Sequence, residues 1–157
     1  MSATLYDRDF YAWANEQAAL LRSGNLSAAD IENIAEEIES MGRSEKRELV
    51  SRLTVLLLHL LKWQYQPERQ GRSWRLTIKE QRRKASRHIQ ENPSLKRELT
   101  EAITTAYGDA IIEAERETDM DETTFPTECP WSFGQIMDEG FWPDEAADRR
   151  VERGASL

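Results

Sequence analysis

The chain has 157 residues, 39% of them apolar and 32% charged, and 29 Asp and Glu against 21 Lys and Arg give a net charge of −8. That length is about one domain with room for a sizeable core, and its few Gly and Pro suit helices with short connections better than a β-rich fold. The acidic excess argues against a general nucleic-acid binder. The single cysteine, Cys129, excludes an intrachain disulfide and fits a reducing cytoplasm, and no basic-plus-apolar leader opens the chain, so secretion is not expected.

The first predicted helix runs from about Asp7 to Arg22, with Asp7 as its N-cap and Gly24 as the C′ residue. Phe10, Trp13, Ala14, Gln17, Leu20 and Leu21 give it an apolar stripe. Ser27 and Asp30 open the second helix, the serine as cap and the aspartate at the positive helix end. Ile31, Ile34, Ile38 and Met41 then recur at three- and four-residue steps, opposite an acidic face of Glu32, Glu36, Glu37 and Glu39.

Gly42 resembles a stop, yet Leu49, Leu53, Leu56 and Leu60 fall on the same stripe as Ile31 and Ile38. The periodicity therefore favours one helix from about Ala28 to Gln66, about 58 Å at 1.5 Å per residue. The alternative is two helices, with Ser44 as a fresh cap. Pro67 ends the element in either case. The apolar run Leu53 to Leu61 is far shorter than the roughly 20 residues a membrane span needs, so it reads as a core helix.

Ser73 is expected to cap a third helix, about Trp74 to Glu91. Its apolar face carries Trp74, Ile78, Ala85 and Ile89, beside a basic face of Arg75, Lys79, Arg82 and Arg83. Asn92-Pro93-Ser94 ends it and caps a fourth, about Leu95 to Thr118, whose Ala106, Ala110 and Ala114 suit close packing. Ser132 and Gln135 form a capping box for a short helix near Phe133 to Asp138. The fold class that results is all-α: a helical bundle of about four main helices with a short C-terminal helix and an extended tail. Residues 1–143 are expected to form a single helical domain and 144–157 a polar, flexible tail.

Charge is unevenly distributed. Residues 62–87 hold nine Lys or Arg against two Glu, whereas residues 109–145 hold twelve Asp or Glu against one Arg. The basic segment is the strongest binding signal, because Arg forks bind carboxylates and phosphates and exposed aromatics stack on partners. Arg69, Arg72, Arg75, Lys79 and Arg82 are the candidate binding residues, with Trp63 and Trp74 as supports. The plainer reading is internal pairing with the acidic segments, and burial of Trp63 and Trp74 as anchors.

Chemistry is less well supported. Helical di-metal sites use Glu-x-x-His pairs, and none occurs here. Glu36, Glu37 and Glu39 read as a solvated face and His59 as a core histidine, so no metal ligand is assigned. Cys129 lacks a partnering base in any motif and reads as a packed thiol. No phosphate loop or nucleophile elbow is present, so no catalytic residue and no cofactor are assigned.

The motifs Y-D-R-D-F-Y-A-W (Tyr6 to Trp13), I-A-E-E-I-E-S-M-G-R-S-E (Ile34 to Glu45), L-L-K-W-Q-Y-Q-P-E-R (Leu60 to Arg69) and S-W-R-x-T-I-x-E-Q-R (Ser73 to Arg82) share a further resemblance. With C-P-W-S-x-x-Q-I (Cys129 to Ile136) and F-W-P (Phe141 to Pro143), they make the chain resemble an uncharacterised bacterial family, common in cyanobacteria, called domain of unknown function twenty-nine. The resemblance covers about Leu5 to Pro143. It implies a compact all-α domain and carries no activity over to any residue.

The expectation is a cytoplasmic, non-enzymatic interaction module that binds an acidic protein partner or self-associates as a homodimer. A phosphate-backbone nucleic-acid binder using residues 62–87 is the alternative, and a metal-dependent enzyme is a distant third.

Overall fold

The computed structural model describes residues 4–144, and no strand occurs among them. The all-α class expected from the sequence is what the structure shows. Its long helices are α2 (Phe10–Arg22), α3 (Ile31–Tyr65), α4 (Arg72–Glu91) and α5 (Leu99–Thr118); α1 (Leu5–Arg8) and α6 (Phe133–Met137) are short. The tail expected over 144–157 lies, apart from residue 144, outside the described residues. No helix among the described residues is long and apolar enough to cross a membrane. Contacts divide the chain into two compact units, Met1–Ser44 and Glu45–Leu157.

In the first unit the capping differs from expectation. Thr4 caps α1 and Asp9, not Asp7, caps α2, its carboxylate accepting from the Ala12 amide at 3.0 Å. Two capped helices replace one because the backbone at Asp9 leaves helical geometry. Gly24 takes the left-handed conformation, φ +77°. Its amide bonds the Leu21 carbonyl and that of Asn25 bonds Leu20, which closes α2 in a Schellman motif. Ser27 does not cap α3; its hydroxyl donates to Asn25. Asp30 does so instead, accepting from Asn33 through both its amide and its side chain.

Polar and aromatic contacts hold this unit together. Trp13 Nε1 donates to Asp30 at 3.1 Å, Gln17 accepts from the Asp30 amide at 2.7 Å, and the Tyr6 hydroxyl donates to Glu37. Tyr6 and Trp13 meet edge to face, with centroids 4.7 Å apart.

α3 runs unbroken through Gly42, as the phase of its apolar stripe requires. Within the second unit the stripe is core: Leu49, Leu53, Leu56, Leu57, Leu60 and Leu61 expose nothing. They pack with Ile78 and Ile89 of α4 and with Ala102, Ala106, Ala110 and Ala114 of α5, whose small side chains permit close approach. Lys62 pairs with Glu117 at 2.9 Å, and Lys46 with Glu98 and Glu101 at 3.2 Å, tying α3 to α5 and to the turn before it.

Two predicted starts are corrected here. α4 begins at Arg72 behind Gly71, with no side-chain cap, rather than behind Ser73. The stretch Pro93–Glu98 is a 3-10 turn, so α5 starts at Leu99 and not at Leu95. Asp119 then ends α5 in the left-handed region, φ 59°.

The chain beyond α5 returns over the core. The Tyr107 hydroxyl donates to the Pro126 carbonyl at 2.6 Å, Tyr65 meets Phe125 edge to face, and Phe125, Trp131 and Ile136 are buried. The Ser132–Gln135 capping box forms with both reciprocal bonds and starts α6.

Candidate binding surface

The basic segment is built on a rigid corner. α3 stops at Pro67, which opens a 3-10 turn over Pro67–Arg69, and the Gln70 side chain donates to the Trp63 carbonyl at 2.8 Å. Trp63 packs on Trp142 with centroids 4.6 Å apart, and Lys62 lies 4.7 Å over the Trp74 ring while also bonding Glu117. Both tryptophans are half-buried, each with one neighbour against its ring.

From this corner α4 projects Arg72, Arg75 and Lys79 at three- and four-residue steps, along one side of the helix. These three and Arg69 are exposed. Among the described residues none of the four makes an ion pair, whereas Arg43, Lys46, Arg52, Lys62, Lys84 and Arg116 each do. Leu76, 49% exposed, sits within the same run.

The family model described as Domain of unknown function DUF29 matches residues 5–142. The chain belongs to this family. No curated protein and no solved structure matches the chain significantly.

In this DUF29 domain Arg82 departs from the expected surface. It is 2% exposed, and its guanidinium donates to the carbonyls of Ile136 at 2.8 Å, Phe141 at 2.7 Å and Gln135 at 3.5 Å. Trp142 lies against it, 5.5 Å from ring centroid to the guanidinium carbon. Burial pushes its pKa down from the ordinary value, against the pull of Asp138 and Glu139. Arg82 therefore fastens the C-terminal segment of the DUF29 domain and is not a surface contact. The signal is present in the sequence: Ile78, Arg82, Ala85 and Ile89 share one inward stripe of α4, so helical phase outweighs charge at Arg82.

The other chemistry candidates are engaged locally. His59 Nδ1 lies 2.8 Å from the Val55 carbonyl, and burial lowers its pKa. Glu36 and Glu39 face Arg43, and Glu37 takes the Tyr6 hydroxyl. Cys129 bonds weakly to the Trp131 carbonyl at 3.5 Å, and burial raises its pKa, which opposes thiolate formation at neutral pH. It lines an open groove of about 1020 Å³ between α5 and the returning chain, together with Ile103, Tyr107, Phe125 and Trp131.

Sequence reasoning missed a cluster of Glu45, Glu48 and His88. One ligand atom from each lies within 4.8 Å of the others. The glutamates are three residues apart on α3, but the histidine comes from α4, so no local spacing announced the group.

Proposed function

We propose that this DUF29 domain is a non-enzymatic interaction module whose basic face, Arg69, Arg72, Arg75 and Lys79, binds an acidic protein surface. The observation that carries this reading is the exposure of four neighbouring cations without ion-pair partners among the described residues. Guanidinium forks take carboxylates in bidentate geometry, and Leu76 supplies a small apolar contact at the centre of the patch. A carboxylate-rich segment with one apolar side chain suits that combination.

The same face could meet a phosphate backbone, but two features favour protein. Trp63 and Trp74 each already have a neighbour against the ring, Trp142 and Lys62, which reduces the surface left for base stacking in single-strand binding. The overall charge of −8 also opposes long-range attraction to a polyanion.

The test uses the full chain with a fluorescent Asp/Glu-rich peptide carrying one leucine, and with DNA and RNA duplexes, each across a salt series. Peptide binding that R72E, R75E and K79E together weaken at least tenfold supports the reading. Tighter binding to a duplex, falling steeply with salt as counterion release demands, replaces it with the nucleic-acid reading. Sedimentation of wild type and triple variant separates a second copy of this chain from a different partner.

A further inference from the structure

We propose that Glu48 and His88, with Glu45 as third ligand, form a binding site for one divalent transition-metal ion of the zinc class, linking α3 to α4. The site is distinct from the basic face, and His88 lies about 20 Å along α4 from Arg75 at 1.5 Å per residue.

The argument begins with His88, only 6% exposed. Its Nε2 lies 2.8 Å from the Glu45 main-chain carbonyl. A carbonyl can only accept, so Nε2 carries the proton and donates. In the neutral ring this leaves a lone pair on Nδ1, and among the described residues Nδ1 makes no hydrogen bond. It faces Glu48 Oε2 at 3.5 Å, so two electron-pair donors face one another, the imidazole buried and the carboxylate exposed.

A proton and a metal ion are the two groups that can reconcile them. A charge-assisted N–H···O bond closes to about 2.7–2.9 Å. Two ligand atoms on one tetrahedral ion, each about 2.0–2.2 Å from it, stand about 3.4 Å apart. The observed 3.5 Å is longer than the first and leaves room for the second.

The surrounding contacts match it as well. A metal-bound histidine commonly donates its other N–H to a main-chain carbonyl, which fixes tautomer and ring orientation; Glu45 supplies that carbonyl. The other oxygen of Glu48, Oε1, is held by Arg52 through Nη2 at 2.9 Å and Nε at 3.2 Å, which leaves Oε2 aimed at His88. The Glu45 carboxylate stands on the protonated edge of the ring, Oε2 3.4 Å from Nε2, so it joins the ligand set only by turning its 48% exposed side chain towards Nδ1, and water fills the remaining position. One imidazole with two carboxylates suits zinc, manganese or cobalt. Calcium, which takes six to eight oxygens, and magnesium, which takes an octahedral oxygen shell, are poorly served.

The test strips the full chain with a chelator and titrates it with Zn²⁺ in competition with a chromophoric chelator, and with Co²⁺ by visible absorption. The expected result is one ion per chain, a four- or five-coordinate Co²⁺ spectrum, and affinity reduced at least tenfold in E48Q and in H88N, with a smaller loss in E45Q. Glu48 is exposed, so E48Q decides the matter if H88N fails to fold. Affinity unchanged in E48Q, or a Co²⁺ spectrum no different from the aqueous ion, overturns the site and leaves His88 as a hydrogen-bonded core side chain.

Discussion

Beyond Glu45, six leucines of α3 expose nothing to solvent, whereas among the described residues before it only Trp13 and Gln17 are buried. The earlier stretch instead leaves Ile31, Ile38 and Met41 more than half exposed and relies on Trp13–Asp30, Gln17–Asp30 and Tyr6–Glu37. One continuous stripe on α3 thus does two jobs. Where leucines face alanines it builds a core, and burial supplies most of the stabilisation. Where it passes Asp30 and Glu37, directional bonds to a few side chains carry the fold, so this region should answer to single polar changes and to pH.

The largest effect is expected in the leucine core. Leu57→Ala removes a side chain with no exposed area and should cost about 3–4 kcal/mol by the transfer and cavity terms together, measured by urea unfolding. A loss under about 1 kcal/mol would mean that the core beyond Glu45 is not the stabilising region. Arg82→Ala comes next, at about 3 kcal/mol, because it deprives carbonyls of Ile136 and Phe141 of their donor. Arg82→Lys should recover little, since one ammonium cannot reproduce the planar fork. Trp142 lies against Arg82 and Trp63, so a change in tryptophan fluorescence would show the C-terminal segment released.

The region before Glu45 gives smaller, local responses. Gln17→Ala leaves the Asp30 amide without its acceptor and should cost about 1–2 kcal/mol, seen as faster amide exchange within residues 4–44 and little change beyond. Equal acceleration in both units would make them one cooperative whole and erase the contrast.

Acid tests the same contrast. Hydrogen bonds from Asn33 and Trp13 hold the Asp30 carboxyl below its ordinary 3.8. A depressed folded pKa means stability that is present above 3.8 and lost as pH falls through the lower folded value. Amide protection in residues 4–44 should therefore drop at acidic pH before that of the leucine core, and Asp30→Asn should flatten that dependence. At the alkaline edge the sign reverses for Tyr6. Its hydrogen bond to Glu37 pushes its pKa from 10.0 up to about 12, so its contribution is present below 10.0 and fades as pH rises toward 12.

The sequence exposed these features unequally, and periodicity explains much of the difference. Continuity through Gly42 was legible because Leu49 and Leu53 kept phase with Ile38 across it. The Gly24 stop and the Ser132–Gln135 box were legible because their chemistry is local. Ser27 and Ser73 misled because a serine near a helix start is common, and here Asp30 and the Gly71 backbone took the terminus instead. Residues 95–98 misled because a 3-10 turn and an α-helix begin with the same apolar and charged residues. His88 was illegible beside Glu45 and Glu48, since only the packing of α4 on α3 brings them together.

The smallest expected effect on stability lies on the exposed side of α4. Arg75 and Lys79 are seven and three residues before the buried Arg82, on the same helix, yet they make no ion pair among the described residues. Both side chains are exposed, so replacing them with glutamate should move the unfolding free energy by less than about 0.5 kcal/mol. The charge nevertheless changes by four units on one face, which is enough to repel an acidic partner. A double variant that folds as wild type and no longer binds the acidic peptide would assign Arg82 to holding the fold and Arg75 and Lys79 to recognition. A double variant that unfolds would instead show that these cations are bound to acidic groups of the protein itself, and the division along α4 would fail.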